Sequence, residues 1–229
     1  MRNLNAVIPV PGLGILQVVD RDVILAREDV ETWPAAVPGC RVSLDGCNYR
    51  AFVPLATPLG TINIERGFVA VDAQWDDGMV RFVNTHLEVP ELPVVVQAAQ
   101  AYELIASLAA LPNYLQLPVV IAGDINSAPE DQPVIIGGQA VVPPYHQFAH
   151  AGYMDLWTLK PGNAAGLTCC QAEDLQNAES LLSKRIDVIL STVAPSDVHA
   201  RRVGAEAKSK TPSGLWPSDH AGVLAWFRF

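Results

Sequence analysis

No stretch of this chain approaches the roughly 20 uninterrupted apolar residues that a membrane-spanning helix requires. The longest candidates, around Val119–Ala122 and Val188–Leu190, are only strand-sized, so a helical membrane span is excluded. Basic residues are scarce as well: 15 Lys and Arg stand against 24 Asp and Glu, a formal charge of −9. Nonspecific nucleic-acid binding draws most of its affinity from cations that neutralise phosphates, so this balance disfavours it while leaving a small phosphorylated substrate open. Repeats, charge blocks and low-complexity linkers are missing and half of the residues are apolar, which rules out disordered and fibrous classes. A length of 229 residues buries a sizeable core without disulfides or a structural metal, and residues 1–229 read as a single domain.

Cysteine is sparse, four residues in all. Cys40 and Cys47 flank a Gly-containing turn and are spaced to close a short loop, as a disulfide or as separate thiols. Cys169 and Cys170 are adjacent and are not expected to bridge each other. Met1–Val10 lacks the apolar run and cleavage site of a secretory signal, so nothing as written directs export. Also missing are a Gly-x-Ser-x-Gly elbow, a Gly-x-x-x-x-Gly-Lys phosphate loop, His-Glu-x-x-His and Cys-x-x-Cys, which removes the chemistries those motifs serve. Gly12-Leu13-Gly14 reads as a turn rather than a nucleotide cradle, and Arg201-Arg202 as part of a solvated strand face.

What is present is mostly strand. Short runs bounded by Gly, Pro, Asn or Asp occur at Val23–Arg27, Tyr49–Ala56, Gly67–Trp75, Met79–Leu87, Val119–Asn126, Arg185–Ser191, Val198–Ala207 and Ala221–Phe229. Asp77-Gly78 between two of these predicts a hairpin. Leu92, Val95, Val96, Ala99, Tyr102, Ile105 and Leu108 recur at helical spacing and predict one amphipathic helix over Glu91–Leu111. A shorter helix is expected at His146–Ala151. Many short strands and few helices point to an α+β fold of two stacked sheets with helices outside.

Reactive side chains concentrate at strand ends. Asn84-Thr85-His86-Leu87 closes one strand, and His86 there is either a functional imidazole or one satisfied by a backbone carbonyl. The apolar strand Val119–Ala122 runs into Gly123-Asp124-Ile125-Asn126; residues two apart on a strand share a face, so Asp124 and Asn126 converge unless one of them merely caps the next turn. Asp187 sits among apolar neighbours, where a charge is costly without a partner. Lys184 or Arg185 is one candidate partner. His220 in Pro217-Ser218-Asp219-His220 is the other, because an adjacent residue on a strand faces the opposite way.

Asn-Thr-His-Leu, Gly-Asp-x-Asn, Arg-Ile-Asp and Ser-Asp-His, in this order, resemble the endonuclease/exonuclease/phosphatase superfamily of metal-dependent phosphoesterases. Asp20–Arg27, Gly166-Leu167-Thr168-Cys169-Cys170-Gln171 and Leu215–His220 are similar to a bacterial branch of it, whose members are often secreted. The resemblance implies a four-layer α/β/β/α sandwich of two mixed sheets with the site at one edge. It implies a hydrolase of phosphoester or phosphodiester bonds, with Mg²⁺, or Mn²⁺ or Ca²⁺ in its place, as cofactor. By the matched motifs His220 is the general base and Asp187 its orienter. Asp124 and Asn126 position the nucleophile and phosphoryl oxygens, His86 donates to a phosphoryl oxygen with Asn84 assisting, and Asp219 and Asp124 face the metal.

Two landmarks of that superfamily are missing: a first strand bearing Asn, and a strand end bearing Gln-Glu whose Glu is the principal metal ligand. Glu28, Glu31 and Glu65 lack that setting. The expectation is therefore a domain short at its N-terminus that binds Mg²⁺ weakly. Its terminal strand Ala221–Phe229, with Trp226, Phe227 and Phe229, would border an open edge and favour a homodimer. An impaired relic used for binding or assembly, and a metal-independent carboxylester hydrolase built on His220 and Asp187, are the competing readings.

Overall fold

The computed structural model describes residues 4–10, 14–35, 37, 46–58, 60–75, 78–111, 116–162 and 164–229. Its strands are β1 (Leu4–Val10), β2 (Gly14–Asp20), β3 (Thr32–Pro34), β4 (Gly46–Asn48), β5 (Val53–Thr57), β6 (Gly60–Ile64), β7 (Gly67–Trp75), β8 (Gly78–His86), β9 (Val119–Asp124), β10 (Val134–Ile136), β11 (Gln139–Val141), β12 (Met154–Asp155), β13 (Asp187–Ser191), β14 (Ser196–Val203) and β15 (Gly222–Arg228). The helices are α1 (Val94–Ala109), α2 (Pro144–His150) and α3 (Leu156–Leu159).

The fold is α+β around one seven-stranded mixed sheet, in the order β12-β13-β9-β8-β7-β3 with β4 also on β7. The expected hairpin is there: β7 and β8 pair antiparallel from Gly67 opposite His86 to Trp75 opposite Gly78. Alternation decides which side chains enter which layer. On one face Phe68, Ala70, Val83, Val119, Ile121, Val188 and Leu190 pack under Ala101, Leu104 and Leu108 of α1. On the other face Ala73, Val80 and Val120, with Phe82 and Ile189, meet Phe227 of β15. The strands on that face are the two-stranded pair β14-β15; β1-β2, β5-β6 and β10-β11 form separate two-stranded pairs.

Several expectations need correction. Residues 21–27 form no strand; Leu25 is 91% exposed, and a lone apolar run with no neighbouring strand to bond has nothing to hold it extended. The strand expected at Tyr49–Ala56 begins only at Val53, and Ala207 falls in a 3₁₀ turn beyond β14. Phe227 does not border the open edge but is turned onto the large sheet. The loop disulfide envisaged for Cys40 involves residue 40, which lies outside the described residues. Cys169 and Cys170 do bridge each other, through a vicinal disulfide. Both side chains turn to the same side, against His220, which brings the two sulfurs together.

Gly123 is dictated by the sheet. A Cβ built there would lie 2.0 Å from the Thr85 carbonyl oxygen, so only glycine lets β9 approach β8 this closely at the residue before Asp124.

Candidate active site

The register of the central strands sets three side chains in one row. His86 of β8 stands beside Asp124 of β9 in the parallel pairing, and Asp124 stands opposite Asp187 of β13 in the antiparallel one. Partners at one level share a face, so the row projects to one side of the sheet's end. His86 Nε2 lies 3.4 Å from Asp124 Oδ2. His220, in the loop before β15, completes the group: its Nδ1 is 2.8 Å from Asp187 Oδ2. The ligand atoms of Asp124, Asp187 and His220 lie within 4.8 Å of one another.

Asp187 therefore pairs with the distant histidine and not with its neighbours. The Arg185 guanidinium is bound to Asp155 instead, and Lys184 reaches Asp131 at 3.5 Å. The Asp187 carboxylate accepts the Nδ1–H of His220, which leaves Nε2 as the bare nitrogen. Its hydrogen bond, opposed by burial, raises the His220 pKa above the usual imidazole range.

His86 is tuned the opposite way. Burial first, and the Arg66 guanidinium second, lower its pKa. Arg66 Nη1 lies 3.0 Å from His86 Nδ1, and a guanidinium only donates. Nδ1 is thus the acceptor, and the ring proton resides on Nε2, on the Asp124 side. Burial, and then the facing charge of Asp187, raise the Asp124 carboxyl to about 6.

Asp124 and Asn126 reach the same cavity, but through a turn rather than along a strand. The strand ends at Asp124, Asn126 has φ +49°, and the Asn126 N–H donates to Asp124 Oδ1 at 2.8 Å. The capping alternative is the one seen; a shared strand face is not, because the strand stops at Asp124. The Asn126 amide donates to the Leu87 carbonyl. Asn84 donates its amide to the Ala122 carbonyl and bridges β8 to β9. Asp219 is exposed; its carboxylate accepts from Ser218, outside the close cluster of carboxylates and imidazole.

The cavity has a volume of about 460 Å³, and its wall includes Arg66, His86, Asp124, Asn126, Lys184 and His220. Arg66 had no signature in the sequence. It holds Asp20, Glu88 and His86 together from the start of β7, and only the folded sheet brings those residues within its reach. Two buried amides of α1 were also unforeseen. Gln97 donates to the Asn126 carbonyl at 2.6 Å, and Gln100 accepts the Glu88 N–H while donating to the Ala51 carbonyl. They lie off the stripe that the helical spacing selected: Val95 and Tyr102 of that stripe are 43% and 69% exposed, and the buried face is Gln97, Ala98, Gln100, Ala101, Leu104 and Leu108, where a buried amide must find partners across the interface.

The residues fit a divalent cation. Two carboxylates and an imidazole converge there at low solvent exposure, and such oxygen-rich donor sets suit a hard divalent cation. No further acid joins the pair among the described residues: Glu88 is buried against Arg66, and Glu65 accepts from Asn48.

No protein-family model and no curated protein matches the sequence. Solved structures do. A truncated TDP2 from Caenorhabditis elegans is 16% identical, with 99% of this chain and 76% of that chain covered and a TM-score of 0.56. A mannosyl-6-phosphatase from Bacteroides thetaiotaomicron is 16% identical, with 81% and 66% covered and a TM-score of 0.54. D. rerio TDP2, solved with a single-strand DNA product, is 18% identical, with 78% and 66% covered and a TM-score of 0.50. This chain spans 61% of the length of a humanized D. rerio TDP2. The fold is therefore shared with TDP2 and with the mannosyl-6-phosphatase.

Proposed function

We propose that this cavity is the active site of a divalent-metal-dependent hydrolase of phosphoester or phosphodiester bonds that works through a base-activated water, with residues 1–229 acting as one domain. The observation that carries the reading is the 2.8 Å bond from His220 to Asp187. It fixes the tautomer and leaves Nε2 free to take a proton from water. Asp187 then steadies the imidazolium, a division of labour common to His-Asp pairs.

His86 supplies the complementary group. As a neutral imidazole with its proton on Nε2, it donates to a phosphoryl oxygen as negative charge builds, while Arg66 and Lys184 line the same wall as fixed positive charges. Asn126 uses its remaining amide capacity to position the substrate, and Asn84 assists by holding the two strands in register. Asp124 is the carboxylate placed to hold Mg²⁺, or Mn²⁺ or Ca²⁺ in its place, with Asp187 beside it. When bound, the cation lends Lewis-acid stabilisation to the phosphoryl oxygens. Asp219 acts at longer range, its charge raising the His220 pKa.

A cavity of about 460 Å³ in a chain of net charge −9 suits a small phosphorylated molecule better than a long polyanion. The test is hydrolysis of bis-p-nitrophenyl phosphate: activity that requires Mg²⁺ and disappears in His220→Ala is expected. A folded protein inert at every metal concentration overturns the proposal.

A further inference from the structure

The vicinal disulfide lies against the nitrogen that the proposed reaction needs. Cys170 Sγ is 3.7 Å from His220 Nε2, and the ligand atoms of Cys169, Cys170 and His220 lie within 4.8 Å of one another. Both cysteines line the cavity wall together with His220. Resting on the reading of His220 as the base, we propose that the reduced protein carries a second metal site here. Cys169, Cys170 and His220 bind a thiophilic cation of the Zn²⁺ class, and its binding silences the base.

The geometry favours this. A tetrahedral zinc with Zn–S of about 2.3 Å and Zn–N of about 2.0 Å holds sulfur and nitrogen about 3.6 Å apart. The Cys170–His220 separation of 3.7 Å already matches. A zinc-bound histidine commonly donates its other ring N–H to a carboxylate, which fixes the tautomer and strengthens the ligand. His220 has that partner in Asp187.

The backbone also holds the site in place. The Gln171 N–H donates to the Asp219 carbonyl and the Ala221 N–H to the Thr168 carbonyl, both at 2.8 Å, so the segment bearing the cysteines is tied on both sides of His220. Cys169 itself forms an isolated antiparallel bridge with Lys184, just ahead of β13 and Asp187. The sulfurs and the imidazole thus face each other from two tethered segments; after reduction the two sulfurs need only swing apart, to about 3.8 Å, to share an ion with the ring.

In the oxidised chain the sulfurs are bonded to each other and the site is closed. A phosphine with one water, or a dithiol, supplies the two electrons and two protons that cleave the S–S bond to two thiols; the phosphine leaves as its oxide carrying the oxygen of that water, the dithiol as a cyclic disulfide. Binding Zn²⁺ then releases the two thiol protons and occupies the Nε2 lone pair. Asp124 remains outside this ligand set.

The test is a Co²⁺ titration of phosphine-reduced and of oxidised protein, read by the thiolate-to-cobalt charge-transfer absorption, with Zn²⁺ affinity taken from competition with a chromophoric chelator. The band is expected in the reduced protein only. Zn²⁺ affinity is expected to fall more than about 10-fold in Cys170→Ser, and about 10–100-fold in Asp187→Asn through loss of the carboxylate that holds the His220 ring. No band in the reduced wild type, or equal Zn²⁺ affinity in the reduced and oxidised forms, overturns the proposal without reliance on any variant. Because the spectrum requires no turnover, it separates the two readings. A band in a protein that never hydrolyses phosphoesters keeps the metal site and removes the catalytic role, whereas hydrolysis without a band does the reverse. In active reduced protein, Zn²⁺ that fills the site is expected to abolish Mg²⁺-supported hydrolysis and to leave the oxidised form untouched.

Discussion

Asp124 and Asp187 stand directly opposite each other in the antiparallel register of β9 and β13. Like charges at facing positions of a sheet repel, and these two are also shielded from water. The sheet therefore holds an electrostatic conflict at the end of two interior strands, where Asp187 is relieved by His220 and Asp124 keeps its proton up to about 6.

The first prediction concerns stability. The folded chain holds the Asp124 proton more tightly than the unfolded chain, whose value is near 3.8, so the group favours folding most at low pH and progressively less as pH rises from 3.8 to about 6. In metal-free protein Asp124→Asn is expected to raise unfolding stability at about pH 8 by up to ~3 kcal/mol. The gain should shrink as pH falls toward 4, and Mg²⁺ should protect the wild type more than the variant. Urea unfolding at several pH values with and without Mg²⁺ measures all of this.

The second concerns the base. The raised His220 pKa places the ascending limb of the pH–rate profile above the ordinary imidazole value, because the base must be neutral to work. Removing the main cause of that shift in Asp187→Asn should move the limb to lower pH and reduce kcat by about 10²–10⁴-fold. A limb that stays in place would mean that another group is titrating. The same bond makes protonated His220 stabilising at low pH, a contribution lost as pH rises through its folded pKa.

A third distinguishes His86 from His220. His86 acts as a neutral donor, so His86→Ala should lower kcat by about 10²–10³-fold while leaving the ascending limb where it was. Arg66→Gln should raise the His86 pKa, since the guanidinium that lowers it is gone. The shift is measurable by NMR titration of the imidazole.

The last concerns assembly. β15 pairs with β14 alone among the described strands, and on its outward face Leu224 and Trp226 are 37% and 52% exposed. An unpaired edge beside an apolar face favours pairing with a second copy. Light scattering is expected to show a dimer that Trp226→Lys weakens; a monodisperse wild-type monomer would remove this idea.

Much of the architecture was legible from local pattern. Alternation at Gly67–Trp75 and Gly78–His86 with Asp77-Gly78 between them, and helical spacing from Leu92 to Leu108, require only neighbours in the chain to be interpreted, and these elements stand where expected. The run at Val23–Arg27 misled because a strand is defined by its partner, and no partner was visible locally. The N-terminal hairpin β1-β2 and the hairpins β5-β6 and β10-β11 went unforeseen for the complementary reason: short strands paired only with each other carry little alternation to detect.

The sequence by itself determined the residue types at the strand ends, His86, Asp124, Asp187 and His220, because a polar residue closing an apolar run is visible without coordinates. Only the tertiary structure decided how they are used. Register set Asp124 against Asp187, a loop arriving from far along the chain gave Asp187 its histidine, Arg66 chose the tautomer of His86, and the fold laid two sulfurs beside His220. Hydrogen-bond geometry and mutual desolvation depend on distances through space, and no pattern along the chain encodes those distances.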